Sequence, residues 1–209
     1  MKILIVSGFL GAGKTTFIKR LARNVDQRFA ILENEYGAAG IDGARLDQNR
    51  QGTQKNVWEM TEQCICCIGK KDFAASVLTI ANVVDPEYLI VEPTGVGSLA
   101  RIIENLRQIE YERIQLLSPV TIVDVYSYRR YMAEYPELYQ DQIRSADTII
   151  VSKTEACQAE EKQRIQKFLQ EINPQAKIIT DYASTMTWED YQSLLLGGRY
   201  EKEVQDTQS

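Results

Sequence analysis

The sequence predicts an α/β fold, a mainly parallel sheet with helices on both faces, and three observations carry that prediction. Short apolar runs alternate with amphipathic segments along nearly the whole chain, the order of strands joined by crossover helices. The first run, Ile3 to Val6, leads directly into Gly8-Phe-Leu-Gly-Ala-Gly-Lys-Thr15 and then into a helix-like segment. The residues with evident chemistry, in Glu33 to Gly37, Glu92 to Gly95, Asp124 and Ser152 to Glu155, each close an apolar run. In a parallel sheet, strand carboxyl ends share one rim, so these scattered residues are expected together.

Each element follows from its own pattern. Ile3 to Val6 is an apolar strand, and Thr16 to Ala22 continues as a helix. Phe29 to Leu32 is a short strand running into a Gly/Ala-rich segment that reaches about Gly43, the position of a switch-like loop. Val57 to Met60 reads as a strand. Phe73 to Val84 reads as a helix, from apolar Phe73, Val77, Leu78 and Ala81. Tyr88 to Val91 is a buried strand, Leu99 to Leu106 a helix and Val120 to Asp124 another interior strand. Residues 126–145 are helical with a break at Pro136, since proline lacks the amide a helix interior needs. Thr148 to Val151 is a strand, and Ala159 to Ile172 is an amphipathic helix stopped by Asn173-Pro174. Ala176 to Ile179 and Thr187 to Leu196 supply a last strand and a last helix. Residues 1–196 are thus expected to form one domain and 197–209 a polar tail.

Composition narrows the function. The 209 residues suffice for one sizeable core, and 24 Lys+Arg are spread among 29 Asp+Glu, so no basic footprint for nucleic acid is visible. The N-terminal apolar run is too short for a secretory or membrane segment, which leads to the expectation of a cytoplasmic protein with no membrane partner. Of four cysteines, three crowd into Cys64, Cys66 and Cys67, which in a reducing compartment favours metal or redox chemistry over disulfides. Cys157 stands alone and is expected to be inert, on a helix. There is no histidine, so a metal site must use sulfur and oxygen ligands.

The spacing G-x-x-x-x-G-K-T between a strand and a helix is that of a phosphate loop, the mark of a P-loop NTPase. Glycines 8, 11 and 13 let successive amides face inward toward an anion, Lys14 would reach the outer phosphates, and the Thr15 hydroxyl would ligate Mg2+. Glu92, at the end of a buried strand near Gly95, occupies the place of a Walker B acid, with the Gly95 amide near the terminal phosphate. Asp124 reads as a helix cap or as a site acid. Ser152-Lys-Thr-Glu155 lies where GTPases carry Asn-Lys-x-Asp; read alone, it is also an ordinary helix start. Cys64-Ile-Cys-Cys67 places three soft ligands in one loop, with Lys70 and Lys71 nearby to favour thiolates. Glu35, Glu62, water or a client protein could supply a fourth ligand. Buried apolar cysteines and a redox pair are the competing readings.

Taken in order, GFLGAGKTT (8–16), ENEYG (33–37), CICC (64–67), EPTG (92–95) and SKTE (152–155) resemble the CobW-type metal-handling GTPases, relatives of the nickel-enzyme maturation GTPases. The resemblance covers about residues 1–185. It implies a GTPase that uses Mg2+, binds Zn2+, Co2+ or Ni2+, and delivers the ion to, or matures, a metal- or cobalamin-dependent client. It carries over Gly11, Ala12, Gly13, Lys14, Thr15 and Thr16 as nucleotide contacts, with Lys14, Thr15 and Glu92 catalytic. Gly95, Lys153 and Glu155 join the nucleotide set, and Glu35, Cys64, Cys66 and Cys67 the metal set. The departures are SKTE for the usual NKTD, the lack of histidine, and an expected absence of the family's second, C-terminal domain. The partners implied are GTP or GDP and a client metalloprotein or corrinoid-dependent protein, with a nucleotide-dependent homodimer left open. The alternatives are a P-loop small-molecule kinase, for which Arg101, Arg107 and Arg113 are available, and a non-catalytic module stabilised by nucleotide and zinc.

Overall fold

The structure, a computed structural model, describes the backbone of residues 1–25, 27–35, 57–63 and 70–196, and the side chains of 1–25, 27–32 and 75–196. Strands β1 (Lys2–Gly8), β2 (Phe29–Glu35), β3 (Val57–Gln63), β4 (Tyr88–Glu92), β5 (Gln115–Leu116), β6 (Val120–Asp124), β7 (Thr148–Ser152) and β8 (Lys177–Ile179) make one sheet in the order β3-β2-β4-β1-β6-β7-β8. All of its pairings are parallel. On one edge β1 pairs with β4; on the other, β5 takes Lys2 and Ile3 while β6 takes Val6 to Gly8.

Both faces of the sheet are covered, and the period-2 alternation of strand side chains decides which residue meets which layer. Leu4, Val6, Ile31, Ile90, Ile122 and Ile150 face α1 (Lys14–Asn24), with Phe17, Ile18 and Leu21, and α8 (Trp188–Leu196), with Tyr191, Leu194 and Leu195. Their neighbours Ile3, Ile5, Leu32, Leu89 and Val91 face the opposite way, toward α2 (Lys70–Val83) and α3 (Leu99–Arg107). On that same side, Val123, Ile149 and Val151 pack against α4 (Tyr128–Glu134), α5 (Pro136–Arg144) and α6 (Ala159–Ile172). Burial on both faces is why the strands read as near-continuous apolar runs.

The expected helix break falls at Pro136, which begins α5 at its first turn, where the missing amide has no partner to lose. Asn173 ends α6 and is buried, its Nδ2 donating to the carbonyls of Ile143 (2.8 Å) and Ala146 (2.9 Å). Thr187 and Asp190 cap the start of α8 reciprocally, Thr187 N–H donating to Oδ2 (2.9 Å) and Asp190 N–H to Oγ1 (3.3 Å). The Thr187 amide, and with it the Thr187 hydroxyl at 3.1 Å, donate to Oδ2 and hold the Asp190 carboxyl below its ordinary range.

Three details differ from the sequence reading. β5 and the short helix α7 (Tyr182–Thr185) were unforeseen, being two and four residues long, too short to show periodicity. Strand β2 extends to Glu35 and β3 to Gln63, past their apolar stretches. Cys157 lies in the turn before α6 rather than on a helix, partly buried against the α4–α6 side of the core. The tail 197–209 and the segment holding Cys64, Cys66 and Cys67 lie outside the described residues. Among the described residues no helix is long and apolar enough to cross a membrane.

Candidate nucleotide site

The carboxyl ends of β1, β4, β6 and β7 form one rim, and the predicted site residues within the described side chains gather there. The loop after β1 turns through Gly11 (φ 73°) and Gly13 (φ 97°), and Gly13 precedes α1 with no side-chain cap and no acid in the first turn. Left-handed backbone at these positions is open to glycine without strain. The α1 amides that lack intrahelical partners therefore point out of the loop as anion donors. Ala12 is buried, Thr16 is exposed, and Thr15 is half-buried.

Lys14 is only 8 % exposed, and its contacts are long: Nζ lies 3.4 Å from the Phe9 carbonyl and 3.8 Å from Glu92 Oε1. Burial lowers its pKa from the ordinary lysine value, and the nearby Glu92 carboxylate offsets this in part. A buried ammonium whose contacts to Phe9 and Glu92 are this long is suited to taking phosphate oxygens. Thr15 Oγ1 lies 3.1 Å from both Glu92 oxygens, so a hydroxyl from the first turn of α1 and a carboxylate from the end of β4 converge. Hard oxygen donors of this kind fit Mg2+.

Gly95 follows Glu92 and lies against the phosphate loop so closely that a Cβ there would sit 2.4 Å from the Leu10 amide nitrogen. Only glycine permits that approach without moving backbone. The loop from Thr94 to Ser98 is thereby stacked beside Phe9 and Leu10.

Across β1, Ser152 Oγ donates to the Ala12 carbonyl at 2.6 Å, tying the SKTE loop to the phosphate loop as the longer asparagine would. Lys153 has a left-handed backbone (φ 60°), and its Nζ pairs with Asp124 Oδ2 at 2.8 Å. Asp124, 8 % exposed, also accepts from the Tyr126 amide at 2.8 Å. It is thus both a turn cap and a partner of the candidate base-site lysine. Glu155 is exposed, and Thr154 beneath it is buried. Asp181, held by Lys162 at 2.6 Å, has its carboxyl below the usual carboxylate range, chiefly through that bond.

Register connects this rim to the predicted metal segment. Glu33 of β2 is the partner of Glu92, and two residues on, Glu35 is the partner of Gln63. Gln63 immediately precedes Cys64 in sequence. Side-chain geometry at Glu35, Cys64, Cys66 and Cys67 falls outside the described residues.

Several contributors escaped the sequence reading. Phe9 sits among Tyr131, Tyr139 and Tyr135 with ring centroids 4.6, 5.0 and 6.0 Å away, and Tyr131 OH donates to the Leu10 carbonyl at 3.0 Å. The α4–α5 pair thus braces the phosphate loop from outside. Gln142 is buried on the apolar stripe Tyr139, Gln142, Ile143 of α5. A polar residue on such a stripe is a signal that it is buried and needs partners, though not of which partners it has.

Residues 2–180 match the family model of the CobW/HypB/UreG nucleotide-binding domain. The chain belongs to this family. Among CobW/HypB/UreG relatives, the zinc chaperone YeiR of Escherichia coli (strain K12) is 30% identical over 178 residues, 84% of this chain and 53% of the relative. The zinc chaperone CobW of Pseudomonas aeruginosa is 28% identical over 194 residues, 79% of this chain and 52% of that protein. The chain spans about half the length of these curated relatives. In fold it is similar to the Zn(II)-bound YjiA GTPase from E. coli, with a TM-score of 0.67 and 22% identity over 94% of this chain and 61% of that one.

Proposed function

We propose that this chain is a GTP-hydrolysing metallochaperone that binds a thiophilic divalent ion at Cys64, Cys66 and Cys67, with Glu35 as a further ligand, and passes it to a client metalloprotein or corrinoid-dependent protein. Zn2+ is the leading cargo, with Co2+ and Ni2+ as further candidates. The observation that carries the reading is the β2 register: the strand that pairs beside Glu92 also pairs Glu35 with the residue before Cys64. A change at the phosphates therefore has a two-strand route to the thiolate segment.

Lys14, the Gly11–Gly13 amides and Thr16 would hold the phosphates. Thr15, with Glu92, would hold Mg2+, which supplies charge neutralisation between the outer phosphates. Glu92 would orient the attacking water, the Gly95 amide would meet the terminal phosphate, and Lys153 and Glu155 would take the base. Turnover by these residues alone is slow, on the order of 10⁻⁴ to 10⁻² per second, as in phosphate-loop GTPases without an arginine finger. Two of the three arginines available to the kinase alternative sit far from this rim. Arg113 pairs with Asp85 at 3.7 Å near the amino ends of the strands, and Arg107 is in the last turn of α3. That geometry favours hydrolysis over an arginine-lined lid.

Calorimetric titration of Zn2+, Co2+ and Ni2+ into the chain loaded with GTP analogue, then with GDP, tests the coupling. Metal affinity is expected to differ at least about fivefold between the two states, and Cys66→Ser is expected to abolish binding while leaving GTP hydrolysis intact. Equal metal affinity in both states would remove the coupling from the mechanism.

A further inference from the structure

The loop between β4 and α3 is held by two adjacent side chains of α5. Gln142, 1 % exposed, donates from Nε2 to the carbonyls of Gly95 (3.2 Å) and Gly97 (3.0 Å). Asp141 accepts at Oδ2 from the amides of Leu99 (2.7 Å) and Ala100 (3.4 Å). One side chain thus supplies donors to the loop's carbonyls and its neighbour supplies an acceptor to the helix start that follows. The path from Gly95 to Ala100 is set by residues more than forty positions away in sequence.

The arrangement is costly for a residue that merely fills space. Among the described residues, Gln142 Oε1 has no hydrogen-bond partner, so burying the amide is offset only by its two donated bonds. An apolar side chain of the same volume would fill the site without that penalty. What the glutamine adds is a fixed distance between α5 and the loop, and α5 itself is anchored: Tyr139 packs edge-on against Phe9, and Thr121 Oγ1 donates to the Gln142 carbonyl at 2.9 Å. On its other side the loop touches the phosphate loop at Leu10 through Gly95. Gln142 therefore pulls on the Gly95 and Gly97 carbonyls while the phosphate loop limits how far Gly95 can advance.

From these contacts we infer that Gln142 is a positioning residue that fixes the Gly95 loop where a third phosphate is sensed, and so sets how strongly the chain distinguishes a nucleoside triphosphate from a diphosphate. The inference rests on the nucleotide reading of the rim and deepens it. The diphosphate portion is gripped by the loop from Gly11 to Thr16, to which Gln142 makes no bond. Loss of the Gln142 bonds then falls on the triphosphate alone.

The test uses the full 209-residue chain and measures equilibrium binding of fluorescent GDP and of a non-hydrolysable GTP analogue, both with Mg2+. Gln142→Leu is expected to bind GDP within about twofold of the parent and the analogue about tenfold more weakly, the scale of lost buried hydrogen bonds. Gln142→Glu keeps the shape but turns a carboxylate toward two carbonyls. It is expected to lose analogue affinity more at pH 8 than at pH 5, each compared with the parent at the same pH, because protonation restores one donor. Should Gln142→Leu fail to fold, the analogue-to-GDP ratio of Gln142→Glu decides. Equal loss for both nucleotides, or an unchanged ratio in a folded variant, would overturn the inference. Failure of the parent to bind GDP at all would overturn the nucleotide-site reading itself, and this inference with it.

Discussion

Lys14 is a buried cation, and its burial carries a desolvation penalty. Its desolvation outweighs the attraction of Glu92, so its folded pKa lies below the unfolded value. The sign follows directly. Below the folded pKa, both states hold the proton and the full penalty is present. As pH rises through the folded pKa toward the unfolded one, the unfolded chain binds more protons and stability recovers. Lys14→Met is therefore expected to melt about 2–4 °C above the parent near neutral pH, roughly 1 kcal/mol for a chain of this size, and to lose nucleotide binding. Thermal melts across pH 7 to 10 check this, since the gap between the two proteins must shrink at the alkaline end. A variant that melts lower than the parent would show that the Glu92 pairing dominates instead. Ser152 illustrates the same economy of reach: a hydroxyl 2.6 Å from the Ala12 carbonyl fills the role expected of an asparagine, so the shorter side chain preserves the tie between the two loops.

Among the elements, the α4–α5 pair braces the phosphate loop, although neither helix lies next to it in sequence. Phe9 is 3 % exposed among three tyrosine rings. Phe9→Ala is expected to cost about 3–5 kcal/mol by opening a cavity there, and Tyr131→Phe about 1 kcal/mol by leaving the Leu10 carbonyl without its donor. Urea unfolding followed by circular dichroism measures both. A Phe9→Ala cost under about 1 kcal/mol would mean that the rings collapse into the gap and do not brace the loop. The elements were also the most legible part of the sequence. Strands buried on both faces leave runs such as Ile3–Val6 and Val120–Val123, and the amphipathic α6 was foreseen from Ala159 to Ile172, as observed. What escaped were β5, which lengthens the flank of β1 by two residues, the four-residue α7, and the polar contacts of α5. A glutamine at position 142 takes its meaning from carbonyls at 95 and 97, and no local pattern encodes a pairing over that separation.

At the scale of the whole molecule, the candidate site was legible as a set of strand ends because a parallel sheet makes strand order irrelevant to which rim a residue occupies. Strand order, invisible in the sequence, adds the rest. β1 divides the rim: β4, β2 and β3 lie on one side, carrying Glu92, Gly95 and the approach to the cysteines, while β6 and β7 lie on the other, carrying Asp124 and Ser152 to Glu155. Under the proposed function, a bound nucleotide would span the divide, its heterocycle over the β6–β7 half and the tip of its phosphate tail over the β4 half. Which purine is present should govern how tightly the ligand is held, whereas the number of phosphates should govern what the cargo segment feels. An adenine analogue supplied at saturating concentration is accordingly expected to alter Zn2+ affinity as the guanine analogue does, a comparison one pair of titrations settles. The central strand would then act as a partition between recognising the fuel and responding to its charge state.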